Sequence, residues 1–377
     1  MKQHSLGQSP FPKPSTSPHE MYDMHRLPTC YRFSLLLAAS IALACGQGNI
    51  PATPPGSALE ALFQYVGTTV VEGTKESPVF FPGGMTIREG SFYVTDELGH
   101  TLTIFDLANG SLRQLGREGA GPGDLKEPGD VGVDGAGNVY VNDAGNRRIQ
   151  VFSPTGESID QVPLPQRALR VFLLPENTPN GFLLVGLRVC GSHTNCRATQ
   201  IDMDGRILRQ FAPQIGPLRI VAFAAALSTD GELFIANYLD TAIQLFGTDG
   251  SEVSQFDLAS PALIPFDDGQ PEDAPFDRNI FAQHYREGTY TPIEAIHTSD
   301  SLVLVQLRIA NPPDDQPEYM LDVYSRDGHP RYLALETPGR LVVDNDDYYF
   351  VTHDEASDYG RFTVIRYSML PLLSQAP

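Results

Sequence analysis

The chain has 377 residues, with 46 acidic residues against 26 Lys and Arg and a formal net charge of −20. Such a surface repels phosphate backbones and no basic run offsets it, which excludes nucleic acid as a partner. The 34 glycines and 31 prolines suit many short strands joined by turns.

The first 20 residues are rich in Pro, Ser and polar groups and carry no hydrophobic period, the composition of a disordered leader. Met21 and Met24 are alternative starts to Met1. Arg26 and Arg32 precede an apolar run over residues 33–44. That run is too short to span a bilayer comfortably and has the order of an export signal. It ends in Ala42-Leu43-Ala44-Cys45-Gly46, which resembles a bacterial lipobox with its Leu one place late. The resemblance implies that Cys45 is lipidated and anchors the protein in a bacterial cell envelope. Ordinary cleavage near Ala44 is the alternative and gives a secreted or periplasmic protein. Residues 1–45 are thus read as leader and signal. The small, polar and Pro-rich residues 46–62 form a flexible tether, 63–370 the folded domain, and 371–377 a tail.

From residue 63 onward the dominant signal is period-2 alternation in short runs. An apolar stretch at 63–71 stands alone. Runs at 84–87, 91–96, 101–105 and near Leu112 form a first group of four. The stretch 116–152 is the sharpest. It has a Gly/Pro loop, an apolar strand at 130–134, a Gly-Ala-Gly-Asn turn at 135–138, strands at 139–143 and 148–152, and an outer run at 158–162. Looser groups follow at 169–174, 181–185, 198–201 and 207–211, then at 223–227, 233–237, 242–246 and 253–256. The fifth group is 293–296, 302–305, 319–324 and 332–335. The sixth, 340–343, 348–351 and 362–365, lacks a fourth strand.

The stretch 116–152 closely resembles an NHL repeat, the blade unit of a β-propeller family, and the other groups read as degenerate copies. The expected fold is an all-β, six-bladed β-propeller. The unpaired stretch at 63–71 supplies the missing strand of the last blade and closes the ring, which removes exposed edges.

Four cysteines are present, two of them in the leader region. Cys190 and Cys196 flank a short hairpin tip, and an exported compartment permits a disulfide between them. A Cys/His metal site with His193 is the competing reading, and it lacks a second ligand pair. The resemblance implies that ligands bind on the face where the second strands end. Candidate residues there are Asp96, Asp143, Asn237, Gln306, His353 and Asp354. His284 and Arg286 join them from an acidic and aromatic insertion over residues 260–291. Asp143 and Asn146 also fit the corner of the repeat, where they would bond the backbone. Asp344-Asn345-Asp346-Asp347 reads as a hairpin turn, since it lacks the spacing of a calcium loop. No nucleophile motif stands out, so no catalytic residue is assigned. The reading is a non-enzymatic binding or scaffold module without a cofactor, engaging an envelope protein, peptide or glycan through this face. The alternative is a Ca²⁺-dependent hydrolase or lyase of the lactonase-like propeller type.

Overall fold

In the computed structural model, the described residues are 58–370 apart from 166–167, 169, 174–180, 186–194, 215–222, 238–240, 268, 270–279, 281–282, 285–286, 310–311, 313–317 and 355. The signal-like leader, Cys45 and Cys190 lie outside them, and so does any statement on a bridge to Cys196.

Twenty-four strands form six four-stranded antiparallel sheets. Blade 1 is β2 (Pro82–Arg88), β3 (Ser91–Asp96), β4 (Thr101–Asp106) and β5 (Leu112–Leu115). Blade 2 is β6 (Pro128–Val133), β7 (Val139–Asp143), β8 (Arg148–Phe152) and β9 (Ser158–Pro163). Blade 3 is β10 (Arg170–Leu173), β11 (Gly181–Val185), β12 (Asn195–Asp202) and β13 (Ile207–Gln214). Blade 4 is β14 (Phe223–Leu227), β15 (Leu233–Asn237), β16 (Ala242–Phe246) and β17 (Glu252–Asp257). Blade 5 is β18 (Ile293–Thr298), β19 (Leu302–Arg308), β20 (Tyr319–Ser325) and β21 (Pro330–Thr337). Blade 6 takes β22 (Arg340–Asp344), β23 (Asp347–Asp354) and β24 (Arg361–Met369) from the end of the chain and β1 (Phe63–Glu72) from its beginning. The fold is the six-bladed propeller expected from the repeats, closed by the expected exchange of the N-terminal strand.

Six apolar layers hold the blades together, one at each interface. The second layer in sequence, for example, joins Val139, Val141 and Phe152 of blade 2 to Leu102 and Ile104 of blade 1. The layer between blades 6 and 1 brings Phe362 and Val364 onto Phe92 and Val94. This is the consequence of period-2 strands in the middle of a stack: each blade is apolar on both faces and is buried only by its neighbours.

The closing strand is anchored by Phe63, whose ring stands edge-on to Phe350 and Tyr367 and 5.1 Å from Tyr348. Its register runs from Phe63 opposite Met369 to Glu72 opposite Arg361. Glu72 and the Arg361 guanidinium form an ion pair at 3.2 Å. A 3-10 turn at Ala58–Ala61 precedes the strand. Leu59 and Leu62 are buried in the layer between blades 5 and 6, which also holds Leu335 and Tyr367.

The hairpin reading of 344–347 corresponds to the β22–β23 turn, with Asn345 in the left-handed region at φ 52°. The Asp344 carboxylate accepts from Arg88 Nη1 at 3.2 Å and from the backbone N–H of Glu89 at 3.1 Å. It thereby ties blade 6 to blade 1.

Phe63→Ala should remove about 3–5 kcal/mol of stability, since the ring fills a site walled by three aromatic side chains. Urea unfolding followed by tyrosine fluorescence reads this directly, and a loss below 1 kcal/mol would mean that β1 does not lock the ring.

Candidate functional site

The face where second strands end carries the connections into each inner strand, so two kinds of residue meet there. The first kind sits at the corners after the second strands. Asp96 and Asp143 end β3 and β7 and are almost fully buried. Asp96 accepts from the backbone N–H groups of Phe80 and Gly99, both at 2.7 Å. Asp143 accepts from the N–H of Lys126 at 2.6 Å, from Asn146 Nδ2 at 2.8 Å and from Arg148 Nε at 2.7 Å. Arg148 in turn donates to the carbonyls of Ala120, Gly121 and Asp124 and to Gln161 Oε1. The glycine-rich loop over 116–129 is therefore wound around one guanidinium, with every donor position aimed at protein. Arg117 holds the Asp124 carboxyl below the ordinary carboxylate range, with the Gly121 N–H adding to it. Asp143 and Asn146 bond the backbone, as the repeat corner implies.

The other sequence candidates are dispersed. Gln306 is fully buried; its Oε1 accepts from the Leu341 N–H at 2.8 Å and its Nε2 donates to the Gly339 carbonyl at 2.9 Å. It stitches blade 5 to blade 6. His284 bonds Thr289 Oγ1 at 2.6 Å and stands edge-on to Phe266, inside the aromatic cluster of the insertion. His353 stacks on Phe362 at 4.7 Å. Asp354 is exposed and accepts from the Ala356 N–H. Asn237 ends β15, and Arg286 lies outside the described residues. None of the described members of this set lines the channel mouth.

The second kind of residue does. A cavity of about 290 Å³ opens at the axis of the ring. Its wall includes Gly83 and Gly84 of blade 1, Asp130 of blade 2, Arg170 of blade 3, Glu294 of blade 5 and Arg340 of blade 6. The backbone explains why these residues are there. The inner strands of blades 1, 2 and 5 lose register between Pro82 and Met85, between Pro128 and Val131, and between Ile293 and Ala295. Bulged residues leave the ladder and turn their side chains aside, a device common beside binding sites. Gly84 is required for a second reason: a Cβ there would lie 2.4 Å from the Asp130 Cα.

Two Arg–carboxylate pairs cross the blade boundaries at the mouth. Arg170 Nε lies 2.9 Å from Asp130 Oδ1, and Asp130 Oδ2 also accepts from the Val171 N–H at 2.8 Å. Arg340 Nε lies 3.5 Å from Glu294 Oε1, and its Nη1 reaches the Gly83 carbonyl at 3.5 Å. Blades 2 and 3 stand opposite blades 5 and 6 in a ring of six, so the pairs are related by half a turn about the channel. The two halves are not equal. Asp130 grips both the guanidinium and the backbone of blade 3, whereas Gln306 has taken the corresponding backbone donor of blade 6. The Arg340–Glu294 pair is the looser one.

Asn142, next to the corner Asp143, also reaches the wall. It is 2% exposed, its Nδ2 donates to the Ala168 carbonyl at 3.3 Å, and its Oδ1 has no partner among the described residues. The Ala168 carbonyl fixes the amide orientation, since a flip would set two oxygens against each other. A buried acceptor left unsatisfied costs about 1–3 kcal/mol.

Near the mouth, His297 of β18 is held neutral. Burial pushes its imidazole down to about 4; the Leu341 backbone pulls the other way, and repulsion from Arg340 and Arg170 adds to the lowering. Beside the mouth, Phe80, Phe81 and Leu98 of blade 1 are each more than 40% exposed. Among the described residues, no three His, Cys, Asp or Glu side chains converge as metal ligands would. No described helix is long and apolar enough to cross a membrane.

No family model matches the chain. Human NHL repeat-containing protein 3 is 36% identical over 103 residues, which is 26% of this chain and 30% of that protein. Protein lin-41 of Caenorhabditis elegans is 35% identical over 97 residues, again 26% of this chain but 7% of its own length. The chain thus spans less than a third of either relative. In structure, a candidate exported protein of Bacteroides fragilis superposes with a TM-score of 0.59 at 11% identity, over 84% of this chain and 97% of the other. The fold is that of an NHL-like six-bladed propeller. In this NHL-like propeller the described corner carboxylates bond the protein, and the cavity is walled mainly by the first residues of the inner strands. Sequence reasoning missed Asp130, Asn142, Arg170, Glu294 and Arg340. The signal available was their place, since all but Asn142 sit in the first three residues of an inner strand.

Two outcomes follow. Asp143→Ala leaves the Arg148 guanidinium buried and uncompensated and should cost about 3–5 kcal/mol, read by thermal unfolding. His297 has a folded value below its unfolded one, so the unfolded state binds the extra proton between pH 6.5 and about 4. Stability should therefore fall as pH drops through that window, by up to about 3 kcal/mol. His297→Gln should flatten this part of the pH–stability curve while Asp354→Asn leaves it in place.

Proposed function

We propose that the protein is an exported, lipid-anchored binding propeller, whose channel-mouth face engages an envelope protein, peptide or glycan. The observation that carries this reading is the division of labour on that face. Corner carboxylates are saturated by backbone and guanidinium donors, while Asp130, Arg170, Glu294 and Arg340 wall an open cavity, and exposed Phe80, Phe81 and Leu98 lie on the loops flanking β2 and β3. A polar pocket with an apolar rim is a recognition surface. The signal-like run ending at Cys45 supports export and anchoring. A metal-dependent hydrolase would need oxygen ligands converging on a point, and the described residues offer no such set, so no step through Ca²⁺ is derived.

Three measurements test the proposal. Cys45→Ser should abolish palmitate labelling and move the protein from the membrane to the soluble fraction. Calcium titration by calorimetry should give no saturable heat; one tightly held ion per chain would return the hydrolase reading. Native mass spectrometry of the protein isolated from envelopes should detect bound material that Arg340→Glu removes and Asp354→Asn retains.

A further inference from the structure

The channel mouth also carries information about its ligand. It offers two under-used groups of opposite hydrogen-bonding character. Arg340 makes only 3.5 Å contacts among the described residues, with Glu294 and the Gly83 carbonyl, so its guanidinium can close on an anion. A carboxylate is the planar acceptor that matches it. On blade 2, the Asn142 Oδ1 is an orphaned acceptor, 2% exposed and fixed in orientation by its bond to Ala168. It asks for a donor, which an ammonium supplies. Across the described wall, four carboxylates (Glu97, Glu127, Asp130, Glu294) stand against two guanidiniums (Arg170, Arg340).

We propose that the mouth binds a small zwitterion, a free amino acid, with its carboxylate on Arg340 and its ammonium toward the Asn142 Oδ1. This deepens the binding reading above and rests on it. The cavity volume of about 290 Å³ suits one amino acid or a dipeptide rather than a folded epitope. The half-turn relation of the two Arg–carboxylate pairs does not create two equal sites, because Asp130 already binds the Val171 backbone and holds Arg170 closely.

The test is calorimetric titration of the full chain in detergent with L-lysine, lysinamide, Nα-acetyl-lysine and maltotriose. Lysine should bind saturably, lysinamide and Nα-acetyl-lysine at least tenfold more weakly, and maltotriose not at all. Arg340→Gln should erase the gap between lysine and lysinamide, with the variant's thermal unfolding checked to show that it is folded. Arg366→Gln, on the opposite face beside Asp347, should leave that gap unchanged. Equal binding of lysine and lysinamide, or no binding of lysine, overturns the zwitterion assignment. Maltotriose bound by the parent protein and lost in Arg340→Gln also overturns it, while keeping the mouth as a binding site.

Discussion

A ring of identical modules has no natural end, and this chain solves the problem with one strand exchange. Pairing of β1 with β24 puts the first described strand beside the last. Every other feature depends on it. The apolar layer between blades 5 and 6 needs Phe63, Leu59 and Leu62. The layer between blades 6 and 1 needs Val71. A blade apolar on both faces cannot tolerate an open side, so loss of the closing strand would expose two layers rather than one.

Closure also explains why the mouth can be built from several blades at once. In an open array, side chains on distant blades would not face each other. In a closed ring of six, Asp130 and Arg170 come opposite Glu294 and Arg340 across a shared axis. The cost of gathering like charges there is moderated by pairing: Asp130 and Glu294 each have a guanidinium from the next blade beside them. Each pair is partly open to water and contributes little to stability on its own. The pairs are better understood as a preset pattern of donors and acceptors, held by backbone bulges that fold with the sheet.

The fold was legible in the sequence because strands advertise themselves by period. The second strands 91–96, 139–143, 181–185 and 233–237 read from alternation match β3, β7, β11 and β15 residue for residue. The missing fourth strand of the last group and the lone run at 63–71 pointed to each other. The site was much less legible. Asp96 and Asp143 drew attention as acids at strand ends, yet a buried acid at a turn is most often bonding the backbone, and both are. Asp130 and Glu294 escaped because a bulge has no clear signature in hydrophobic pattern. A register slip of one or two residues, invisible in composition, decides whether such a side chain faces a neighbouring blade or the axis. Asn142 escaped for another reason: its value lies in an unmet hydrogen bond, and that is a property of surroundings.

The direction of the closing strand has a mechanical consequence. β23 rises from the Asp344–Asp347 hairpin to the mouth face, β24 descends, and β1 rises again from Phe63 toward Glu72. The chain therefore enters the ring on the face opposite the mouth. A pull on the chain at that end, opposed at the mouth face, runs along the axis of β1. It loads the β1–β24 ladder in shear, where the inter-strand bonds share the force, instead of peeling them one by one. The exchange that completes the ring is also the geometry in which the closing strand best resists being pulled free.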